Sequence, residues 1–166
     1  GVKLEVMMSW ESSIMERSAN YVCSGGGDIL EIGFGMGMAS DYIQANSISS
    51  HTIVEIHPQI LERARAWAED KPNVTIVEGD WFEVKDSLST YDGVFYDTWG
   101  EEDWGRFADH IESFVKPGAK VTWWNNNPDK STIHNVEGVE YEAIDVDPPI
   151  NNYFTSPKYY MPKKEY

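Results

Sequence analysis

Cysteine is nearly missing from this chain: Cys23 stands alone. One thiol excludes an internal disulfide and fits a reducing compartment. With no histidine or acid pattern around it, Cys23 reads as helix packing rather than as a nucleophile. Basic residues are also scarce. Thirteen Lys and Arg face 28 Asp and Glu, a net charge of −15. Nucleic-acid phosphates need a basic track, so the charge argues against a DNA or RNA substrate, and no nucleic-acid partner is expected. A small cation is steered in by such a field, although most of the acids serve as solvated surface. No apolar run is long enough to cross a membrane. No basic-then-apolar leader is visible, so a cytoplasmic location without a membrane partner is expected. The four histidines, His51, His57, His110 and His134, share no ligand spacing, and no metal site is expected.

What is present is a globular chain of 166 residues, 41% apolar, long enough for one domain with a proper core. It is organised around Asp28 to Ser40. That stretch begins as a short apolar strand and breaks into Gly33, Gly35 and Gly37. It then resumes as the start of a helix. Glycines there let the backbone turn sharply and let a ligand approach the main chain. The following helix turns its free N–H groups towards the turn. This is the first strand-to-helix turn of a nucleotide-binding α/β sheet.

Dinucleotide sites want G-x-G-x-x-G, with an acid about twenty residues further on. Here Met38 occupies the third glycine position, while the acid is present as Glu55 at the end of His51 to Glu55. A carboxylate there can accept both hydroxyls of a ribose. Glu31 before the glycines and Glu55 after the second strand resemble the pattern of S-adenosylmethionine (SAM) sites.

Met7 to Val22 is expected as a helix, with Ser9 as N-cap and Trp10, Ile14 and Met15 on its apolar side. Met38 to Gln44 is the next helix. Pro58 opens another, with Ile60, Leu61, Ala64, Trp67 and Ala68 as its stripe. Val74 to Val77 is a third strand. Beyond it, Asp80 either meets an adenine amino group or caps a turn, and Trp81 beside it can cover the ring. Tyr91 to Asp97 is a fourth strand whose end points at the ligand crevice. Glu101 to Val115 is a helix that Lys116-Pro117-Gly118 ends, and Lys120 to Trp124 is a fifth strand. Val139 to Val146 and Tyr153 to Tyr160 read as an antiparallel pair. Alternating strands and helices imply a mainly parallel sheet covered on both faces.

Several motifs together resemble the guanidinoacetate N-methyltransferase family and the related arginine N-methyltransferase domain. They are M-x-x-W-E-x-x-x-M (Met7, Trp10, Glu11, Met15), L-E-I-G-F-G-M (Leu30 to Met36) and Glu55 with Arg63, Arg65 and Trp67. G-x-W (Gly79, Trp81), D-G-V-x-Y-D-T (Asp92 to Thr98), K-P-G (Lys116 to Gly118) and V-x-P-P (Val146, Pro148, Pro149) complete the set. The resemblance implies a Rossmann-like class I SAM-dependent methyltransferase with sheet order 3-2-1-4-5 and an antiparallel pair at one edge. It implies one domain over 1–166: a helical cover at 1–24, a cofactor-binding core at 25–128 and C-terminal strands at 129–166.

The same resemblance places the cofactor, SAM, with S-adenosylhomocysteine (SAH) as product, on Trp10, Met15, Glu31, Gly33, Phe34, Gly35 and Gly37. Glu55 takes the ribose, and Ile56, Gly79, Asp80, Trp81 and Asp97 complete the cofactor set. A guanidino acceptor falls to Glu11 and Asp97, the catalytic pair, with Thr98, Trp99, Asn125 and Asn126 around it. Two departures stand out. The family's N-terminal segment that folds over the site ends about where this chain begins. The helical insertion after strand five is reduced to about Asp129 to Gly138. The acceptor's identity is therefore open between guanidinoacetate-like and arginine-like compounds, and a homodimer is compatible with the pattern.

The chemistry such a site needs is in-line attack by a nitrogen lone pair at about 3 to 3.5 Å. A guanidinium, with a pKa of about 12.5 or higher, is a poor nucleophile. Two carboxylates can grip it in bidentate fashion and take a proton as the C–N bond forms. Trp10 and Trp99 either stack on the cation or are plain core aromatics. A nucleic-acid methyltransferase would show N/D-P-P-Y after strand four. The only similar string, Asp147-Pro148-Pro149-Ile150, lies elsewhere. A SAM-binding protein with a regulatory or assembly role, its lid and catalysis lost, is the non-enzyme alternative.

Overall fold

A computed structural model describes residues 2–98, 101–125, 136–148 and 154–166. Seven strands form one sheet: β1 (Asp28–Ile32), β2 (Ser50–Glu55), β3 (Val74–Glu78), β4 (Tyr91–Tyr96), β5 (Val115–Trp123), β6 (Glu140–Asp145) and β7 (Lys158–Glu165). Their spatial order is β3-β2-β1-β4-β5-β7-β6. The first five are mutually parallel, and β7 runs antiparallel to both β5 and β6. The helices are α1 (Val2–Cys23), α2 (Met38–Gln44), α3 (Pro58–Ala68), the short α4 (Trp81–Val84) and α5 (Glu101–His110).

The central strands are apolar on both faces because both are covered. Leu30 and Ile32 of β1, with Val94 and Tyr96 of β4 and Val121 and Trp123 of β5, pack under α4 and α5 against Trp81, Phe107, Ile111 and Phe114. The alternate residues Ile29 and Phe95 face Met15, Ala19 and Val22 of α1 and Ala39 and Ile43 of α2. On β2, Ile53 continues that second face towards Ala64 of α3. A third cluster joins Trp10 and Ile14 of α1 to Ile144, Tyr159 and Met161 of the β6–β7 pair. The C-terminal hairpin is thereby part of the core.

Four expectations from the sequence are corrected. The first helix runs back to Val2, so Ser9 lies inside it and is not its N-cap. Helix α5 stops at His110, and Ile111–Phe114 continues as one 3-10 turn. Lys116-Pro117-Gly118 does not end a helix but lies within β5, which starts at Val115. The register between β4 and β5 jumps there, from Tyr91 opposite Val115 to Gly93 opposite Lys120. Side chains hold this irregular start, with Lys116 Nζ bonding Asp28 Oδ2 at 2.8 Å and Asp92 Oδ2 at 3.1 Å. Finally, β7 spans Lys158–Glu165 rather than Tyr153 to Tyr160, and Tyr153 lies outside the described residues.

Candidate active site

In this order of strands, β1 and β4 are neighbours from which the chain departs in opposite directions, the switch point where α/β sheets open a crevice. The two strand ends touch there. Asp97 N–H donates to the Ile32 carbonyl at 2.9 Å. Gly33 follows with φ +94, and a Cβ on it would stand 2.1 Å from the Asp97 carbonyl oxygen. Only glycine fits a left-handed residue against a neighbouring backbone. One loop turn later, Gly35 has φ +57 and no heavy atom within 4 Å of where a side chain would begin. The main chain is open there to a bound group.

Glu55 ends β2 beside this loop and is buried. Its Oε1 accepts from Phe34 N–H at 3.0 Å, and its Oε2 from Ile56 N–H at 2.9 Å and His57 N–H at 3.3 Å. A carboxylate offers about four lone-pair sites, so three are already used. Glu55 is thus fixed in place, and accepting both ribose hydroxyls requires it to share or release one backbone partner. Next to it Ile56 is 58% exposed and Met36 of the glycine loop 48% exposed, the large exposed hydrophobics among the described residues. Two bare apolar side chains flanking an open loop suit the flat face of a heterocycle.

Asp97 and Glu11 come from different layers, the end of β4 and helix α1. The Asp97 carboxyl is pushed up from 3.8 to about 7, first by burial, then by the charges of Glu11, Glu31 and Glu55. By accessible surface the residue is half-buried. Burial and like charges both disfavour ionisation, and here they act together. Tyr159 on β7 is likewise pushed up, first by burial, with Asp97 and Glu11 adding to it. Its hydroxyl accepts from Asn125 N–H at 2.9 Å. Asp97, Glu11 and Tyr159 therefore lie within one another's field. Thr98 Oγ1 donates to Tyr96 Oη at 2.7 Å. Asn125 Nδ2 donates to the Tyr160 carbonyl at 2.9 Å, which fixes the amide at the end of β5. Trp99 and Asn126 lie outside the described residues.

The remaining expected site residues have protein partners of their own. Trp81 is 3% exposed. Its indole sits among Phe107, Tyr96 and Phe114 at centroid distances of 5.4, 6.4 and 6.1 Å, so it is packed in the core. Asp80 is a helix cap: its Oδ1 accepts from Phe82 N–H at 2.8 Å, and its Oδ2 faces Arg106 at 3.6 Å. An adenine amino group would have to compete for those oxygens. Trp10 stacks on Phe154 at 5.6 Å and meets Trp124 edge-on at 6.4 Å. That is the core reading of Trp10 rather than the cation-stacking one. Met15 is buried between α1, α2 and the sheet. The Phe34 ring packs on Trp67 at 5.4 Å, leaving its main chain to the loop. Glu31 is 1% exposed. It is held by His51 and Ser40, residues that sequence reasoning missed. A buried His–Glu pair on adjacent strands depends on register, which motif spacing does not report. Among the described residues no helix is long and apolar enough to span a membrane, and no group of three metal-ligating side chains is present.

A glycine turn at the switch point, a fixed acid after β2 and an antiparallel β7 define the class I SAM-dependent methyltransferase fold. Solved structures agree. The N-methyltransferase NodS from Bradyrhizobium japonicum WM9, in complex with SAH, superposes with a TM-score of 0.72 at 12% identity over 94% of this chain and 87% of that one. A spermidine synthase has the same fold at a TM-score of 0.68 and 11% identity, over 94% of this chain and 58% of that one. The guanidinoacetate N-methyltransferase family model matches residues 2–127, and the chain belongs to that family of SAM-dependent methyltransferases. Protein arginine N-methyltransferase 2 of Yarrowia lipolytica is 35% identical over 72% of this chain and 28% of its own length. The Saccharomyces cerevisiae protein of that name is 34% identical over 79% of this chain and 35% of its own length. The chain thus spans about a third of the length of these curated relatives.

Proposed function

We infer that the protein methylates a guanidino nitrogen held between Asp97 and Glu11. The observation that carries this reading is the Asp97 carboxyl, raised to about 7 by burial and by Glu11, at the switch point of the sheet. The glycine loop, Glu55 and the bare flanks of Met36 and Ile56 fit SAM, which supplies an electrophilic methyl on a sulfonium. A small cationic acceptor relieves the repulsion between the two carboxylates, whereas an anionic one adds to it. Once paired, each carboxylate grips the planar guanidinium through N–H donors and aims one nitrogen at the methyl. As the new C–N bond forms, that nitrogen loses a proton. A carboxylate whose affinity for protons lies near neutrality is suited to receive it. The burial that raises Asp97 also keeps water from competing for the cation.

The acceptor class is a guanidinoacetate-like or arginine-like compound. Family membership supports the guanidino group, and the names of the fungal relatives support an arginine side chain. The test is incubation with SAM and a panel of free guanidino acids, arginine and arginine-containing peptides, followed by mass spectrometry of the acceptor and SAH. Methylation of at least one guanidino compound is expected. Tight SAH binding with no turnover on any of them would instead support a regulatory SAM-binding protein.

A further inference from the structure

Beneath the glycine loop lies a polar cluster that the methyl-transfer reading leaves unused. His51, near the start of β2, is 0% exposed and Glu31 is 1% exposed. His51 stands opposite Ile29 in the β1–β2 register. Side chains alternate along a strand, so Glu31, two residues beyond Ile29, shares the imidazole's face of the sheet. His51 Nε2 lies 3.0 Å from Glu31 Oε1. Ser40 Oγ donates to the same oxygen at 2.5 Å. On the far side of the ring, Gln44 Nε2 lies 3.1 Å from His51 Nδ1. Ser40 and Gln44 are one turn apart on α2, on one helix face. The indole of Trp67 closes the cluster edge-on, 6.0 Å from the imidazole.

An ionised carboxylate only accepts, so Nε2–H donates to Glu31, while the Gln44 amide meets Nδ1 on the other side of the ring. A carboxylate this deeply buried is tolerated only with such donors. Glu31 lies two residues before Gly33, and in the parallel ladder it stands opposite Phe95, two residues before Asp97. Helix α2 begins directly after Gly37. The two ends of the glycine loop are thus tied at one buried carboxylate, carried by Glu31 before Gly33 and bonded by Ser40 after Gly37. We propose that His51 is a positioning residue for the cofactor site: by fixing Glu31 and, through Gln44, the seat of α2, it sets the shape of the Gly33–Gly37 loop. Glu31 acts through that shape and not by touching the ligand. The charge of Glu31 is also among those that raise Asp97, which links the cradle to the acceptor side.

The inference rests on the reading that SAM lies on this loop, and the full chain tests the two separately. His51→Phe keeps the bulk and removes both hydrogen bonds. His51→Gln keeps an amide donor within reach of Glu31. SAH affinity is measured by calorimetry and the KM for SAM against kcat by steady-state kinetics. Loss of one buried charge-assisted bond predicts roughly tenfold weaker SAH binding in His51→Phe. The KM for SAM rises in parallel and kcat at saturation changes less. His51→Gln recovers most of the affinity. Wild-type SAH affinity in His51→Phe, or equal impairment of the two folded variants, overturns the proposal. Should His51→Phe fail to fold, Ser40→Ala removes one donor from Glu31 and is expected to weaken SAH binding several-fold. Unchanged affinity there overturns it too. A wild-type protein that binds no SAH refutes the functional reading itself, an outcome distinct from normal wild-type binding with unaffected variants.

Discussion

Replacing Asp97 by Asn should make the protein more stable while disabling it. The folded state raises this carboxyl from 3.8 to about 7. Each tenfold change in proton affinity corresponds to about 1.36 kcal/mol, so keeping Asp97 ionised in the fold costs on the order of 4 kcal/mol above pH 7. Asp97 is only half-buried by accessible surface, and solvent screening reduces the expected gain to about 2 kcal/mol. The sign follows from proton binding. Between about pH 4 and pH 7 the folded state holds a proton that the unfolded chain has released. Wild-type stability therefore falls as pH rises through that window, and the Asp97→Asn variant escapes the fall. For a chain of this size, 2 kcal/mol corresponds to about 4 to 8 °C in Tm. Thermal unfolding of both proteins at pH 4 and pH 8 is the assay. The variant should melt with the wild type at pH 4 and several degrees higher at pH 8. A gap that does not change with pH, or a variant less stable at pH 8, would show that Asp97 is not held against its own ionisation. The electrostatic account of the site would then be wrong.

Other substitutions separate cradle, core and cofactor. Gly33→Ala drives a Cβ to 2.1 Å from the Asp97 carbonyl at φ +94; a loss of roughly 3 kcal/mol or more is expected in urea unfolding, from overpacking combined with backbone strain. Glu55→Ala frees three backbone N–H groups and removes the acid beside the loop. SAH binding should weaken by about 1.5 to 3 kcal/mol in calorimetry, and unchanged affinity would remove Glu55 from the cofactor site. Trp81→Phe leaves a hole in the α5 face, so stability should drop by about 1 to 3 kcal/mol with SAH affinity retained. A selective loss of SAH affinity would return Trp81 to the ligand.

What could be read from the sequence was what is encoded locally. Asp28 to Gln44 carries its own strand, turn and helix signals, and β1, the glycine loop and α2 lie where those signals put them. The sheet order followed from the strand–helix alternation and from family resemblance. Elements fixed by distant partners were missed. Lys116-Pro117-Gly118 looks like a helix stop, yet the Lys116 bridges to Asp28 and Asp92 and the Gly118–Tyr166 backbone contact draw it into the sheet. Pro162 would ordinarily argue against a strand interior. Here the β5–β7 ladder covers only Lys164 and Glu165, so Pro162 owes β5 no N–H bond, and its carbonyl accepts from the Thr122 hydroxyl at 2.6 Å. In the site, residue types were legible and side-chain directions were not. Trp10 and Trp81 look alike as ligand platforms or as core, and only packing on Phe154 and Phe107 decides. The His51 partner of Glu31 comes from the β1–β2 register, which motif spacing does not report.

The central claim is that Asp97 receives the proton of the methylated nitrogen while the cofactor is held elsewhere. Methyl transfer by wild type and Asp97→Asn, measured on the same guanidino acceptor at saturating SAM, tests it most directly when SAH affinity is measured alongside. The account predicts nearly unchanged SAH binding and a rate lower by at least about 10²-fold, the usual loss on removing a general base. A variant that transfers methyl groups at the wild-type rate would contradict it.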